Sequence, residues 1–335
     1  MLGQHFEREI REQPAVWRRI AESGKALQLA GAIRGRDVVL LGSGSSLFMA
    51  LLGALALRRR GIRAHALAAT EAPLDHAAYA AAAVVACSQS GESEDLLEAL
   101  DILKPRLLVA LTNNARSKLG DRATTVIDVN AGKEVAVPAS KSVTSTAAIL
   151  LWAAELLGTK RARNARTLCE TADAVDAWLK SSGVADVRTA AAQIARQRSI
   201  IIVGTGYGLP IAYEAALKMK EASYLHAEGF SAGEFRHGSA AILDASCALV
   251  GIVDEVSRRV VERPIRTAFA VGSSCYTVGG AIEGIPLLGP VVGEAFNTLA
   301  WLVTAQVVAL QAGRARGVDS DAPRGQSKVL GTAAP

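Results

Sequence analysis

The sequence predicts an α/β protein built from two tandem, doubly wound parallel-sheet domains that are related by internal duplication. Short apolar runs of strand length alternate with helical segments along the 335 residues, which is typical of βαβ units. A strand followed by a glycine-rich turn occurs twice, from Val38 to Gly44 and from Ser199 to Gly206, with the last glycines 162 residues apart. Aromatic residues make up only 4% of the chain, which favours helix-covered parallel sheets over an all-β sandwich.

Composition excludes several classes of protein. Half of the residues are hydrophobic and 21% are charged, as in a packed globular protein. The net charge is +5, but the basic residues are scattered, so we expect no nucleic-acid partner. The chain shows no apolar leader and no uninterrupted apolar stretch of about 18 residues, which predicts a cytoplasmic protein that does not bind membranes.

The four cysteines are far apart and form no CxxC pair. Three of them lie in apolar runs, so we interpret them as buried thiols of a reducing compartment and expect neither disulfides nor a metal site. Nothing else in the sequence indicates a cofactor. The cysteines are Cys87, Cys169, Cys247 and Cys275.

An N-terminal helix, followed by alternating strands and helices, is predicted before the boundary between the two domains. A helix is predicted over residues 6–30, interrupted at Pro14, with Trp17, Ile20 and Leu27 on one face. Strands are predicted at 38–41, 63–67, 83–87, 107–111 and 124–129, with a helix at 47–59 after the first and a helix pair at about 141–181. The polar stretch 182–198 is the predicted boundary, after which the second α/β series begins. The predicted organisation is an N-terminal helical segment (1–30), a first domain (31–181), a second domain (182–312) and a C-terminal tail (313–335).

Two strand-to-helix turns are rich in hydroxyl groups. The segment Ser88-Gln89-Ser90-Gly91-Glu92-Ser93 follows an apolar strand, and Gly42-Ser43-Gly44-Ser45-Ser46 follows another. Such turns present unpaired N–H groups at the positive end of a helix, and serine adds small hydrogen-bonding side chains, so both turns suit a phosphate monoester. Alternatively, Ser90 or Ser93 only caps the helix. No GxGxxG is present in the first turn, which argues against dinucleotide binding.

A second polar pattern follows the second glycine turn. Glu214, Lys218 and Glu221 are spaced i, i+4 and i+7, so they share one helical face whose other neighbours are apolar. The alternative is an ordinary solvated, salt-bridged face. The polar cluster from Gly233 to Gly238 contains His237, which could equally be a core or surface histidine.

Several long motifs occur in a characteristic order, and on them the chain resembles the sugar isomerase (SIS) domain family, whose domains are flavodoxin-like. The resemblance is to the isomerase half of glutamine–fructose-6-phosphate amidotransferase and to stand-alone SIS-type glucosamine-6-phosphate deaminases, and it covers almost the whole chain. The motifs are EIREQP, LGSGSS, SQSGES, KEVAVPASKSVTST, YEAALKMKEASYLHAEGFSAGEFRHGS and DAPRGQSKV.

The resemblance implies roles by position. Glu221 falls on the base that moves a proton between C1 and C2 of the open-chain sugar, His237 on the ring-opening residue, and Lys328 on the lysine that contacts the carbonyl and can form a Schiff base. Lys218 and Glu214 fall on supporting positions of the same helix. Phosphate-binding positions fall on Ser46, Ser88, Gln89, Ser90 and Ser93, and a sugar-contacting backbone position on Val137. The family also implies a homodimer in which His237 or the tail completes a neighbour's site.

The sequence begins at MLGQHFEREI, without the catalytic cysteine and glutaminase domain of the amidotransferase. We therefore expect the breakdown direction: an isomerising deaminase that hydrolyses glucosamine 6-phosphate to fructose 6-phosphate and ammonia. The alternatives are another phosphosugar isomerase, a fructosamine-6-phosphate deglycase, or a non-catalytic sugar-phosphate sensor. A sensor would need only the serines, and Glu221, His237 and Lys328 are all present.

Overall fold

The structure, a computed structural model, describes residues 2–159, 163–326 and 328, which form two compact units. The N-terminal unit comprises Glu12–Glu134, Lys141–Glu170 and the described residues from Gly325 onward. The C-terminal unit comprises the described residues up to Arg11, Val135–Ser140 and Thr171–Arg324. Each unit holds one five-stranded parallel sheet flanked by helices, so the predicted fold class is confirmed.

The sheet of the N-terminal unit has the strand order β2-β1-β3-β4-β5, with every pair parallel. Because β2 lies on one side of β1 and β3 on the other, the chain reverses its winding direction between β1 and β3. Ligands of doubly wound sheets bind in the crevice at the carboxyl ends of such a strand pair. The elements are α1 (Gln4–Glu22, which begins in the other unit), α2 (Lys25–Ile33), β1 (Val38–Gly42), α3 (Ser45–Arg58), β2 (Ala64–Ala68), β3 (Ala83–Ser88), α4 (Glu94–Leu103), β4 (Leu108–Thr112), α5 (Lys118–Arg122), β5 (Thr125–Asp128) and α6 (Lys141–Leu157).

The central strands β1, β3 and β4 form where the sequence is apolar without alternation. β1 and β3 are buried at every position, because helices cover both faces of the sheet. One core cluster packs Val39, Leu41 and Val84 against Leu96 and Leu100 of α4. All five predicted strands are confirmed, and their ends differ from the predicted ones by at most one residue.

The sheet of the C-terminal unit has the order β10-β9-β8-β6-β7. This is the same winding as in the first sheet, with β6 in the place of β1, so the internal duplication predicted from the glycine turns extends to the strand order. The elements are α7 (Ala165–Lys180, which begins in the other unit), α8 (Gly183–Ile194), β6 (Ser199–Gly204), α9 (Gly208–Ser223), β7 (Ala227–Ser231), β8 (Cys247–Ile252), α10 (Arg258–Ala270), β9 (Ser274–Val278), β10 (Leu287–Leu288) and α11 (Asn297–Ala315).

One helical stretch, Glu294–Ala315, is long and apolar enough by composition to cross a membrane. The stretch contains α11, and 89% of its most apolar part is buried inside the protein. Burial of this extent identifies α11 as a core helix, since a lipid-facing helix would present its apolar surface outward.

Two local predictions are wrong. Pro14 does not interrupt the first helix: α1 continues to Glu22, and the break comes at Gly24, whose φ is 67°. The cost of an internal proline, about 3 kcal/mol, is offset by burial of the flanking Val16 and Trp17, which are 1% and 0% exposed. Leu27 is 62% exposed because α2 is a separate helix that buries a different face.

The stretch 182–198, the predicted boundary, is mostly helical. Most of it forms α8, an amphipathic helix that buries Val184, Val187 and Ile194. Charged residues on its other face make the stretch polar overall, while its apolar residues recur at helical spacing.

Candidate active site

The serine-rich turns of the N-terminal unit lie at the carboxyl ends of the neighbouring strands β1 and β3. Leu41 pairs with Ala86 in the sheet, so the residues that follow both strands emerge at the same edge. Both turns therefore lie at the reversal point of this sheet. Ser46 is in the first turn of α3, where its N–H donates to the Ser43 carbonyl, and its side chain is partly exposed.

Glycine makes both turns possible. A Cβ on Gly42 would lie 2.6 Å from the Ser46 carbonyl carbon, so only glycine lets α3 begin this close to β1. Gly91 has φ +69°, and a Cβ there would lie 2.0 Å from Ser117 Oγ. The Gly91 carbonyl also accepts the Leu119 N–H, which fixes the middle of the β3–α4 turn against α5.

Side chains of the β3–α4 turn also hydrogen-bond to its own backbone. Ser88 Oγ accepts the Gly91 N–H at 3.0 Å, and Ser90 Oγ accepts the Glu92 N–H at 3.1 Å. The backbone carbonyl of Gln89 accepts the Asn113 N–H, while its side chain is partly exposed. These bonds hold the turn in a defined shape before any ligand binds.

Ser93 occupies the N-cap position of α4, in extended conformation, but its side chain makes no capping hydrogen bond. The capping alternative therefore does not hold for Ser93. Its partly exposed hydroxyl lies at the positive end of α4, where the first-turn N–H groups lack intrahelical partners.

The acid inside this turn is directed away from it. Glu92 Oε1 accepts the Lys118 N–H at 3.0 Å, and Oε2 lies 3.3 Å from Lys118 Nζ. The Lys118 N–H is the main cause that holds the pKa of Glu92 below its ordinary value. Because Lys118 compensates this carboxylate, an anion at the turn meets less repulsion than the sequence suggests.

In the C-terminal unit, α9 brings three predicted residues together. Lys218 Nζ lies 2.5 Å from Glu221 Oε2 and 3.4 Å from Glu214 Oε1. Glu214 and Lys218 are 1% exposed, whereas the Glu221 side chain is 15% exposed. The face is therefore a buried charged cluster with one accessible member, which is different from the solvated salt-bridged face considered above.

Burial lowers the pKa of Lys218, but the charges of Glu214 and Glu221 outweigh it, so this pKa lies above its ordinary value of 10.5. Lys218 is therefore a cation at neutral pH. It fixes the carboxylate of Glu221 and leaves one oxygen of that group free of the Lys218 bond. A partly accessible carboxylate held in this way can accept and return a proton.

His237 and Val137 also belong to the C-terminal unit. His237 follows the 3-10 helix Glu234–Arg236, and its side chain is exposed. Within the described ranges, no hydrogen bond, ion pair or ring contact joins His237 to the α9 cluster. Val137 lies in an irregular segment and is partly exposed; the neighbouring Val135 N–H donates to Glu9 Oε1 at 2.5 Å.

Lys328 lies in the part of the tail that groups with the N-terminal unit. Its Nζ is 3.6 Å from Glu134 Oε2, and its side chain is 21% exposed. Glu134 is fully buried and also accepts hydrogen bonds from the N–H and the hydroxyl of Ser142, at 3.0 and 2.6 Å. The lysine is thus held by a carboxylate that is itself fixed.

Glu134 is not among the predicted site residues, although it lies inside the KEVAVPAS motif. Lys328 and Glu134 are 194 residues apart, and no local pattern connects them. The described residues contain no group of three or more His, Cys, Asp or Glu that could hold a metal ion.

Comparison with known proteins agrees with this architecture. The chain is 33% identical over 266 residues to glutamine–fructose-6-phosphate aminotransferase [isomerizing] of Gloeobacter violaceus, an alignment that covers 74% of this chain and 43% of the relative. The chain spans about half the length of the curated relatives that it matches.

Solved structures show the same fold. Tagatose-6-phosphate ketose/aldose isomerase from Escherichia coli superimposes with a TM-score of 0.82 at 20% identity, covering 99% of this chain and 98% of that one. Glucosamine-6-phosphate deaminase from Thermotoga maritima gives 0.79 at 20% identity, covering 98% and 99%. The SIS domain model matches residues 33–156 and 193–262, one segment in each half of the chain. The chain therefore belongs to the SIS domain family.

Proposed function

We propose that this protein is a phosphosugar-converting enzyme, and specifically an isomerising glucosamine-6-phosphate deaminase. The observation that carries the proposal is the α9 cluster: a buried Lys218 that fixes the partly exposed carboxylate of Glu221 at 2.5 Å. A site that only binds a sugar phosphate has no need of a buried charge cluster with one accessible base, because taking charges out of water is costly.

The serine turns supply phosphate binding. Ser46, Ser88, Gln89, Ser90 and Ser93 lie at or beside the starts of α3 and α4, where N–H groups and hydroxyls together suit the three oxygens of a phosphate monoester. Compensation of Glu92 by Lys118 supports an anion there.

The proposed chemistry is a proton transfer followed by hydrolysis. In the open-chain amino aldose, Glu221 removes the proton from C2, and the electron pair forms the C1–C2 double bond while the carbonyl oxygen is protonated. Return of the proton to C1 gives a ketimine, which water converts to the ketose and ammonia. Lys328 assists by contact with the open-chain carbonyl, and Val137 contributes a backbone contact to the sugar.

We assign ring opening to His237. Its imidazole is exposed, so a substrate can reach it, and in a homodimer it would serve the site of the second copy. A mixture of inactive Glu221→Gln and inactive His237→Ala proteins should then regain part of the activity. No recovery after subunit exchange would argue for a site within one chain.

The second candidate is ketose–aldose isomerisation of a phosphosugar without an amino group, which uses the same proton transfer. The fold similarity to the tagatose-6-phosphate isomerase allows it. The amino sugar is preferred because the relative with 33% identity acts on fructose 6-phosphate as an aminotransferase.

The experiment that separates the candidates measures ammonia and ketose phosphate in parallel. Glucosamine 6-phosphate should give both in equal amounts, and unphosphorylated glucosamine should be a very poor substrate. Ammonia release from fructosamine 6-phosphate but not from glucosamine 6-phosphate would indicate a deglycase. Interconversion of tagatose 6-phosphate with its aldose would indicate an isomerase. Binding of the sugar phosphate without any turnover would indicate a sensor.

A further inference from the structure

The end of α9 has an unusual backbone. Tyr224 caps this helix with φ 55° and ψ 26°, in the left-handed region. Glycine or asparagine adopts this conformation at low cost, whereas a bulky aromatic residue is strained in it. A non-glycine residue in such a conformation, three positions after Glu221, calls for a reason beyond helix termination.

The Tyr224 side chain makes two contacts with one residue of the C-terminal tail. Its hydroxyl accepts the Arg324 N–H at 2.6 Å, and the Arg324 guanidinium lies 4.3 Å from the centre of the ring. The first contact holds the backbone of the tail, and the second is a cation–π interaction that holds the side chain. We call this pair the Tyr224–Arg324 clamp.

The tail is also fixed just before the clamp. Asp321 accepts the N–H groups of His5 and Phe6 at 2.8 and 2.7 Å, and Asp319 accepts that of Gly3 at 2.9 Å. These carboxylates lie at the start of α1, where the helix dipole favours negative charge. Arg324 is the residue at which the C-terminal unit ends. It is followed directly by Gly325, which has φ +68°.

We propose that Tyr224 is a positioning residue for Lys328. Lys328 lies four residues after Arg324, so its Cα cannot be farther than about 14 Å from that of Arg324. By holding Arg324, Tyr224 limits the volume that the lysine can explore and ties the start of the tail to the end of the helix that carries Glu221. The effect of Tyr224 on catalysis through Lys328 rests on the proposed function, whereas the Tyr224–Arg324 clamp itself does not.

A purely structural role predicts different behaviour. If Tyr224 only terminated α9, Tyr224→Asn would be neutral or stabilising, because asparagine is well suited to left-handed backbone, and nothing else would change. The clamp predicts that this variant keeps its Tm but releases the tail. Tyr224→Phe, which keeps the ring and loses the hydroxyl, should release it in part.

The test combines limited trypsin digestion with kinetics. Cleavage after Arg324 requires its side chain to leave the Tyr224 ring, so the rate of formation of the 1–324 fragment reports opening of the clamp. We expect a rise of about ten-fold in Tyr224→Asn and about three-fold in Tyr224→Phe, in keeping with the usual strength of a hydrogen bond and a cation–π contact. The kcat should fall while the KM for glucosamine 6-phosphate stays within about two-fold.

The matched control is Tyr276→Phe, which loses a hydroxyl bond of the same 2.6 Å length, to Gln193, in the same unit. It should leave tail cleavage and kcat unchanged. An unchanged rate of cleavage after Arg324 in Tyr224→Asn overturns the proposal. If Tyr224→Asn is unfolded, an unchanged rate of this cleavage in Tyr224→Phe overturns it instead. If cleavage responds but the wild-type protein converts no amino-sugar phosphate, the clamp stands and the proposed function fails.

Discussion

At the scale of single residues, Ser93 separates binding from stability better than the other serines of its turn. Because its hydroxyl makes no capping bond, Ser93→Ala should leave the Tm unchanged. It should raise the KM for glucosamine 6-phosphate by about ten- to hundred-fold, since a hydrogen bond to a charged group is worth about 1.5–3 kcal/mol. Steady-state kinetics and thermal unfolding measure the two effects.

Ser88→Ala is the companion variant. Ser88 Oγ accepts the Gly91 N–H and is 7% exposed, so its loss should also cost about 1 kcal/mol of folding stability. An unchanged KM in both variants would remove the β3–α4 turn from the phosphate site.

Glu221→Gln tests the proposal that Glu221 is the proton-transfer base. Glutamine keeps the size of the side chain and an oxygen for the Lys218 bond but cannot accept a C–H proton, so kcat should fall by about two to four orders of magnitude while substrate still binds. Glu228→Gln, an exposed carboxylate of the same unit, is the control. Near wild-type turnover in Glu221→Gln would mean that the α9 cluster serves stability alone.

At the scale of elements, the charges of α9 depend on one another. Lys218→Met removes the cation between two carboxylates, one of them 1% exposed, and should lower the free energy of unfolding by about 3–5 kcal/mol. The exposed neighbour Lys220 provides the control, since Lys220→Met should change the free energy of unfolding by less than about 0.5 kcal/mol. Urea unfolding of both variants measures the difference.

The same lysine predicts a pH dependence. Its pKa is higher in the folded protein than its ordinary 10.5, so its stabilisation is present below pH 10.5 and is lost as the pH rises through the folded value. The difference in stability between the wild type and Lys218→Met should therefore be constant from pH 7 to about 10 and narrow at higher pH. A difference that already narrows below pH 9 would contradict the assignment.

How much of each element could be predicted depends on how local its cause is. Strands β1, β3 and β4 follow from apolar runs buried on both faces, and the alignment of Glu214, Lys218 and Glu221 follows from helical spacing. The continuity of α1 through Pro14, the exposure of Leu27, and the pairings of Glu134 with Lys328 and of Tyr224 with Arg324 depend on residues distant in sequence. No pattern within a window of about 15 residues contains that information.

The C-terminal tail is held by contacts that its composition does not indicate. Its composition is that of an irregular segment, but Ser320 is 1% exposed and Asp321 caps α1. A truncation should therefore be placed after Arg324, where it keeps these contacts. The 1–324 protein should retain its Tm and lose deaminase activity, and Lys328→Ala should reproduce most of the loss. Full activity of the truncated protein would exclude a role for Lys328.

At the scale of the whole molecule, two sheets with the same strand order carry different side chains. The strand-to-helix turns of the first hold the serine set, whereas the helix after the first strand of the second, α9, carries the charged cluster. Under the proposed function, duplication followed by divergence has given phosphate binding to one copy and the proton-transfer base to the other. The fold alone does not determine the reaction, so the choice among SIS activities rests on these side chains.

The most direct test of the central claim follows the C2 proton. Glucosamine 6-phosphate deuterated at C2 is incubated with the enzyme, and the fructose 6-phosphate and ammonia are measured by NMR and by a coupled assay. We predict equal amounts of both products, loss of deuterium from C2 with part of it recovered at C1, and neither exchange nor product with Glu221→Gln. Ammonia release at an unchanged rate in Glu221→Gln, or no reaction of the wild type with this substrate, would contradict the account.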